Sequence, residues 1–311
     1  MIRSAPVAGD GTGRRVRGWI GLGCALAVAA GLAAAWWAIR GEPRVAGAAV
    51  ALAGVGLVAA RALAARERDA RARLFVSLAD RAVDGVVLFD LSPDIYLQSQ
   101  REGLRLDRIR HLVISHTHSD HFHPYSLQMR AEPFAHIPGD EGLTVWGNAF
   151  VHRRLEGLAD WDAARVRRVT VEAGRTYPVD PVTRLTPLQA DHFPEEGCFN
   201  YVLERDGRTL FYGLDSGWFP EASWERLRAF RLDVAILDCT HGVEPNLRNH
   251  GSVASVRAIR DRMLAEGIGT PSTRFVATHF SHNGRALHHE LEEAFAGTGI
   301  LVAYDGMRLA I

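Results

Sequence analysis

The 311-residue chain carries 36 basic and 36 acidic side chains, so its formal net charge is zero and it has no global basic field for nucleic acid. Its three cysteines are too few and too scattered for a disulfide framework or a thiolate metal site. We divide the chain into an apolar N-terminal segment, residues 1–66, and a folded domain, residues 67–311. The second part, with roughly 240 residues, is long enough for one large α/β domain with a sizeable core.

The N-terminal segment has the pattern of a membrane anchor. Residues 18–39 contain no charged side chain, and tryptophans lie near both ends of this run. Its length and its interfacial aromatic residues predict a transmembrane helix. A second apolar run, residues 45–60, is shorter, but it reaches a full crossing if Arg61 extends to the interface and the helix continues to Ala65. Arginines before the first run and after the second predict a helical hairpin in the inner membrane, with the folded domain in the cytoplasm.

The apolar N-terminal segment also allows three alternatives to the hairpin. A cleaved signal peptide has an apolar stretch of about 7 to 15 residues, shorter than this run. A lipoprotein signal fits poorly, because most of the apolar run follows Cys24. A start codon assigned too far upstream would make the protein a cytoplasmic enzyme without this segment. The hairpin is the interpretation that we favour.

The folded domain alternates predicted strands with predicted helices. Residues 72–78 and 86–91 predict a strand pair, and residues 112–115 predict a buried strand. Residues 199–204 and 209–212 predict a hairpin around a central Asp-Gly, which favours a tight turn. Helices are predicted near residues 149–158, 224–230, 253–264 and 287–296. This mixture fits an α/β fold of four layers, an αββα sandwich.

A dense group of metal-ligating side chains follows the strand at residues 112–115. It consists of His116, His118, Asp120 and His121. Side chains alternate along a strand, so the first two histidines can face one cation, and the residues of the following turn can face a second. Imidazole suits zinc, iron or manganese, and a carboxylate favours binding in which water is retained and activated, which also makes Asp120 a catalytic candidate.

This H-x-H-x-D-H pattern resembles the first metal motif of the metallo-β-lactamase superfamily, and the likeness covers nearly all of the chain after about residue 70. The family pattern continues with an isolated histidine, a bridging aspartate and a final histidine, each at the end of a strand. Here these are His192, Asp215 and His279. The resemblance implies a metallo-β-lactamase sandwich and a hydrolase domain at residues 67–311.

The resemblance also implies two divalent metal ions. One would be bound by His116, His118 and His192 and the other by Asp120, His121 and His279, with Asp215 shared. Such a pair holds a bridging hydroxide that acts as the nucleophile in hydrolysis. Zinc and manganese fit these ligands, and iron is a further alternative. In this family an aspartate near the position of Asp90 or Asp94 contacts loop backbone or a ligand histidine.

The C-terminal third resembles the phosphodiesterase branch of the superfamily. Asp238 ends a predicted strand, and His250 precedes a predicted helix that Ser252 could cap. These features, together with the Thr-His-x-Ser-His run at residues 278–282, are similar to the carbon-phosphorus lyase accessory cyclic phosphodiesterase and, more distantly, to tRNase Z. The likeness makes His250 the candidate general acid and Asp238 the residue that orients its ring. His282 is either a phosphate contact or a solvated loop residue.

We therefore expect a metal-dependent phosphodiesterase that acts on a small phosphate ester, with cyclic esters among the candidates. Hydrolysis of lactones, thioesters or β-lactams would use the same metal ligands. A non-enzymatic binding protein of cofactor biosynthesis is a third interpretation, although such relatives tend to depart from the H-x-H-x-D-H pattern. We expect membrane association through residues 1–66 and no nucleic-acid partner, while a homodimer is an open alternative.

Overall fold

The computed structural model describes residues 75–77, 82–83, 86–137, 139 and 141–310, all within one compact unit, Leu74–Ile311. The predicted transmembrane runs at residues 18–39 and 45–65 lie outside the described residues. Within the described part of the chain, no helix is both long enough and apolar enough to cross a membrane.

Fourteen strands in the described residues form two seven-stranded sheets. The first sheet has the order β14-β1-β2-β3-β4-β5-β6 and the second has the order β13-β12-β11-β10-β9-β8-β7. The strands of the first sheet are, in chain order, β1 Phe75–Ser77, β2 Ala82–Val83, β3 Val87–Phe89, β4 His111–Val113, β5 Leu143–Gly147, β6 Val166–Thr170 and, at the end of the chain, β14 Arg308–Ala310. Those of the second are β7 Tyr177–Asp180, β8 Thr183–Gln189, β9 Phe199–Arg205, β10 Arg208–Gly213, β11 Val234–Asp238, β12 Arg274–Thr278 and β13 Ile300–Val302.

In the described residues, six α-helices cover the outer faces of the two sheets. They are α1 Ile95–Glu102, α2 Pro124–Gln128, α3 Ala149–Leu155, α4 Glu221–Leu227, α5 Val253–Ala265 and α6 His288–Ala294. Short 3-10 helices lie at Leu106–Arg108 and His282–Gly284.

Three hydrophobic clusters define the layers. The central cluster joins the facing sides of the sheets, for example Phe89 of β3 with Tyr212 of β10, whose rings stack at 4.6 Å. A second hydrophobic group packs α4 and α5 on the second sheet around the fully buried Trp224. A third packs α1, α2 and α3 on the first sheet. The layers therefore run helix, sheet, sheet, helix, and the predicted α/β class is confirmed.

In each sheet, half of the neighbouring strand pairs are parallel. The loops that follow these parallel strands therefore lie at one edge. Strands β3, β4, β5 and β6 are parallel to one another, as are β10, β11, β12 and β13. The predicted hairpin is present as β9 and β10, and its Asp206 and Gly207 both have positive φ, 49° and 75°, as a two-residue turn of the primed type requires. The carboxyl ends of the parallel strands meet at one edge, where ligands bind in open α/β sheets.

Candidate metal centre

The predicted ligands come together at this edge from both sheets. His116, His118, Asp120 and His121 follow β4 of the first sheet. The other three follow strands of the second sheet: His192 after β8, Asp215 after β10 and His279 directly after β12. Residues far apart in the sequence therefore meet because their strands end at the same place.

The first group of ligands, which we call the first cluster, contains His116, His118, His192 and Asp215. One donor atom from each lies within 4.8 Å of the others. His192 Nε2 is 3.0 Å from His118 Nδ1 and 3.4 Å from Asp215 Oδ2. His116 Nε2 is 3.5 Å from the same carboxylate oxygen.

The second cluster contains Asp120, His121 and His279, again with donor atoms within 4.8 Å. The Nε2 atoms of the two histidines are 3.1 Å apart, and both lie close to Asp215 Oδ1, at 3.1 Å and 3.0 Å. Asp215 is only 3% exposed and directs one carboxylate oxygen to each cluster. Asp215 therefore lies between the two clusters, and its bridging role stays a prediction from the family resemblance.

Hydrogen bonds on the far side of each ring turn a nitrogen lone pair towards the clusters. His121 Nδ1 lies 2.7 Å from Asp90 Oδ2, and His192 Nδ1 lies 3.1 Å from the carbonyl oxygen of Asn249. Because these oxygens accept only, both Nδ1 atoms carry the proton, and each Nε2 can bind a cation.

Two hydroxyl groups orient the Nδ1 atoms of His116 and His279 in the same way. Ser115 donates to Asp90 and therefore accepts from His116 Nδ1, at 3.0 Å. Thr240 donates to Asp238 and accepts from His279 Nδ1, at 2.7 Å. His116 Nε2 then has no hydrogen-bond partner among the described residues, although it is buried.

These contacts fit a divalent cation. At the first cluster, the Nε2 lone pairs of His116 and His192 face Asp215 Oδ2 at 3.5 Å and 3.4 Å without a proton between them, an arrangement that a cation would stabilise. Burial and, to a smaller extent, the charge of the neighbouring His121 lower the pKa of His116 to about 3. The ring therefore stays in the neutral form that binds metals. Burial also lowers the pKa of His121, but the carboxylates of Asp90 and Asp215 outweigh it and raise that pKa to about 10, so positive charge is favoured there.

Several residues at the centre have a backbone conformation that is rare for side chains other than glycine. Asp90, Asp215, Asn249 and His279 have φ values of 59°, 46°, 65° and 63°. Such strain is retained where the surrounding structure requires it, and it is concentrated at functional sites. Asp90, Asp215 and His279 lie at strand ends, where the chain turns sharply, whereas Asn249 lies in the loop before α5.

A third group of side chains, Asp238, His250 and Thr240, adjoins both clusters. His250 Nδ1 lies 2.9 Å from Asp238 Oδ2, and donor atoms of both residues fall within 4.8 Å of those of Asp215 and His279. Burial lowers the pKa of His250, but the hydrogen bond and charge of Asp238 outweigh it, so the pKa lies above its ordinary value. The ring of His250 also packs against that of His192, with centroids 4.7 Å apart.

Residues 86–293 match the family model described as the beta-lactamase superfamily domain. The chain belongs to the beta-lactamase superfamily. With this family, its fold and its His/Asp clusters, it is a metal-dependent hydrolase of the metallo-β-lactamase fold. Among proteins of curated function, no sequence matches the chain.

Solved structures of this superfamily are similar to the chain over most of its length. A diphosphatase from the PhnP family is 25% identical, has a TM-score of 0.58, and the match covers 75% of this chain and 85% of that one. Human tRNase Z, short form, is 18% identical with a TM-score of 0.51, covering 73% and 89%. Zn²⁺-bound PqqB from Methylobacterium extorquens is 17% identical with a TM-score of 0.51, covering 73% and 85%. The last two show the shared superfamily fold.

The remaining sequence-predicted residues of the superfamily site vary in their placement. Asp120 is 62% exposed and lies 3.5 Å from His121 and 3.7 Å from His279, so it is the outermost member of the second cluster. Asp90 contacts His121 as expected, whereas Asp94 is exposed at the start of α1. His282 is exposed and belongs to none of the clusters in the described residues. Ser252 caps α5 by accepting from the backbone of Ser255.

Some residues of the centre were not predicted from the sequence. Tyr212 donates to Asp90, and Asn249 accepts from His192 through its backbone. The buried Glu196 and Asn148 and the half-buried Thr117 form a hydrogen-bonded group beside the first cluster. Every residue has a backbone carbonyl group, so the one that accepts from His192 cannot be recognised in a residue pattern. A glutamate in a loop between Pro and Gly is ordinarily solvated. The sequence offered no signal for these contacts.

Proposed function

We propose that the protein is a phosphodiesterase that hydrolyses a small phosphate ester at a centre of two divalent metal ions, zinc or manganese. The observation that carries this proposal is the Asp238–His250 pair, whose donor atoms adjoin those of Asp215 and His279. The proposed ligands are His116, His118 and His192 for one ion and Asp120, His121 and His279 for the other, with Asp215 shared. When bound, the ions would activate water and neutralise the charge of the phosphate group.

His250 has the position and the environment of a general acid. Its Nδ1 is directed at Asp238, and its Nε2 makes no hydrogen bond among the described residues. The proton on Nε2 can therefore be given to an oxygen that leaves phosphorus as an alkoxide, which is a poor leaving group without a proton. Asp238 fixes the ring and stabilises its protonated form.

Asp238 is held firmly in place for this role. It is buried, and its Oδ1 accepts from the backbone and the hydroxyl of Thr240, both at 2.7 Å. Its Oδ2 accepts from the backbone of Ser216 at 3.3 Å in addition to His250. A carboxylate that accepts this many hydrogen bonds has little freedom to move.

The 25% identical relative supports chemistry at phosphorus, because that protein is a diphosphatase of the PhnP family. Cleavage of a diphosphate and of a phosphodiester both displace an oxygen from phosphorus. Lactone, thioester and β-lactam hydrolysis would use the clusters without an evident need for the Asp238–His250 pair. The likeness to PqqB extends to the fold and supports no binding role for this chain.

A substrate panel tests the proposal. The purified full chain, loaded with manganese or zinc, would be offered a 2′,3′-cyclic nucleotide, a dinucleoside diphosphate, a lactone and an acyl thioester under the same conditions. We expect kcat/KM to be highest for one of the two phosphorus substrates, with the phosphodiester ahead of the diphosphate. Preference for the lactone or the thioester would refute phosphodiester chemistry.

The cellular location stays a prediction from residues 1–66. We propose that this segment anchors the enzyme in the inner membrane, with the catalytic domain in the cytoplasm, because the apolar runs are flanked by arginines. Its phosphate ester would then be cytoplasmic or at the inner leaflet. Membrane fractionation of tagged full chain, compared with a chain that starts at Arg66, checks this: equal recovery in the soluble fraction would contradict the anchor.

A further inference from the structure

A buried carboxylate lies beside the first cluster, and the part of the chain that the structure describes offers it no cationic partner. Glu196 is 6% exposed, and among the described residues no arginine, lysine or histidine forms an ion pair with it. Burying an unpaired carboxylate is costly, and replacing buried charges by apolar groups often stabilises a protein. Fold stability alone therefore does not account for this residue.

The contacts of Glu196 connect two loops that carry cluster ligands. The hydroxyl of Thr117 donates to Glu196 Oε2 at 2.6 Å, and Thr117 stands between His116 and His118 in the chain. Glu196 itself follows His192 by four residues, in the loop between β8 and β9. One carboxylate thus joins the loop after β4 of the first sheet to a loop of the second sheet.

A second contact holds the same carboxylate from the other side. The side-chain amide of Asn148 donates to Glu196 Oε1 at 3.2 Å and to the carbonyl oxygen of Gly197 at 3.3 Å. Asn148 is itself fixed at the start of α3, where its Oδ1 accepts from the backbone of Val151 at 3.0 Å. The loop that contains His192 is therefore attached to the rigid end of a helix on the first sheet.

The geometry of the first cluster depends on the distance between these two loops. His118 Nδ1 and His192 Nε2 come from opposite loops and are 3.0 Å apart. We infer that Glu196 is a positioning residue, which sets the separation of the two loops through Thr117 and Asn148 and so shapes the first cluster for a metal ion. The inference rests on the metal binding in the proposed function and is independent of the substrate.

The test is the affinity of the full chain for zinc, titrated against a competing chelator. Thr117→Val keeps the shape of the side chain and removes the hydroxyl, so it should weaken one of the two stepwise affinities about 10- to 100-fold, as for other residues that orient metal ligands. Thr117→Ser retains the hydroxyl and should bind zinc within about threefold of wild type. Glu196→Gln can still form hydrogen bonds with both neighbours, because its amide can donate to Thr117 and accept from Asn148. It should therefore also bind zinc within about threefold of wild type.

Two further variants separate positioning from general stability. Thr273→Val removes a buried hydroxyl that donates to the carbonyl oxygen of Leu232 at the opposite end of the second sheet, and it should leave both zinc affinities unchanged. If Thr117→Val fails to fold because Glu196 loses a donor, the double variant Thr117→Val, Glu196→Gln removes the connection without leaving a buried charge. In thermal unfolding, the stabilisation produced by zinc should shrink in the Thr117→Val chains and not in Thr273→Val.

The outcomes are distinguishable. If the wild-type chain binds no zinc, the metal-binding part of the proposed function fails, and this inference fails with it. If wild type binds zinc and the Thr117→Val chains bind equally well, the positioning role is overturned while the metal centre stands. A large loss of affinity in Glu196→Gln would also overturn it, because the charge and not the hydrogen bonds would then be responsible.

Discussion

His250 Nδ1 lies 2.9 Å from Asp238 Oδ2, and the hydroxyl of Thr240 connects this pair to His279 of the second cluster. The proposed general acid and a proposed metal ligand therefore share one hydrogen-bond network. Asp238 serves both, since it orients His250 directly and His279 through Thr240. Substitutions in this network should have different effects on catalysis, stability and metal content, as the following predictions specify.

His250→Ala should lower kcat about 10²- to 10⁴-fold for a phosphodiester with an alkoxide leaving group, because the leaving oxygen loses its proton donor. The loss should be much smaller for a p-nitrophenyl ester, whose phenolate leaves readily without a proton. Steady-state kinetics on the two substrates measures the difference. The metal content of His250→Ala should equal that of wild type. His289→Ala, at an exposed position, is the control and should change the rate for neither substrate. Equal losses on both substrates would contradict acid catalysis.

Asp238→Asn should destabilise the protein and slow catalysis together. The carboxylate accepts four hydrogen bonds from Thr240, His250 and Ser216, and an amide places a donor where at least one of these donors points. We expect the free energy of unfolding in urea to fall by about 1 to 3 kcal/mol. The kcat for an alkoxide-leaving substrate should also fall, because His250 and, through Thr240, His279 lose the carboxylate that orients them. A variant with wild-type stability and kcat would show that the pair is not needed.

Removal of the metal ions should lower thermal stability, because the imidazole and carboxylate lone pairs that face one another in the first cluster then lack a cation. Re-addition of zinc at about 100 times its dissociation constant should restore about 2.7 kcal/mol for one site. Magnesium should do little, because these histidine-rich clusters suit it poorly. Asp215→Asn, at the shared carboxylate, should lose most of the zinc effect. Differential scanning fluorimetry in chelator and in metal provides the comparison, and an unchanged melting temperature would count against the centre.

Gly251→Ala should displace the backbone segment that carries His250. A Cβ at this glycine would lie 2.0 Å from the carbonyl oxygen of Asp238, so the segment that carries His250 would have to move away from the strand end. We expect kcat to fall and the free energy of unfolding to drop by about 1 to 3 kcal/mol. Gly157→Ala is the matched control: its φ of 72° makes alanine unfavourable, but nothing lies within 4 Å, so stability should fall with kcat unchanged. If Gly251→Ala retains wild-type kcat, the close contact is not needed to place His250.

The strand ends were the part of the structure that could be predicted most directly from the sequence. His116 to His121 and His279 follow strands with buried residues, and the resemblance to the metallo-β-lactamase superfamily implied that they would meet. The parallel strands explain this meeting, because their carboxyl ends lie at one edge. The α/β class and the β9–β10 hairpin followed from similar local patterns.

The contacts that support the ligands were not predictable in the same way. Thr117 and Glu196 are 79 residues apart, and Tyr212 and Asp90 are 122 residues apart, so no local periodicity relates them. The edge strand β14 has three residues, too few for a strand pattern, and it is identified by its pairing with β1. Such features depend on which loops pack together after the sheets have formed.

The central claim is metal-dependent phosphodiester hydrolysis, and its most direct test is the rate of bis(p-nitrophenyl) phosphate hydrolysis by the full chain before and after chelator dialysis. We predict that activity disappears in the chelated protein, returns with manganese or zinc, and is lost in Asp215→Asn under the same conditions. Metal-loaded protein that leaves the diester and a 2′,3′-cyclic phosphate untouched, while it hydrolyses a lactone or a thioester, would contradict the claim.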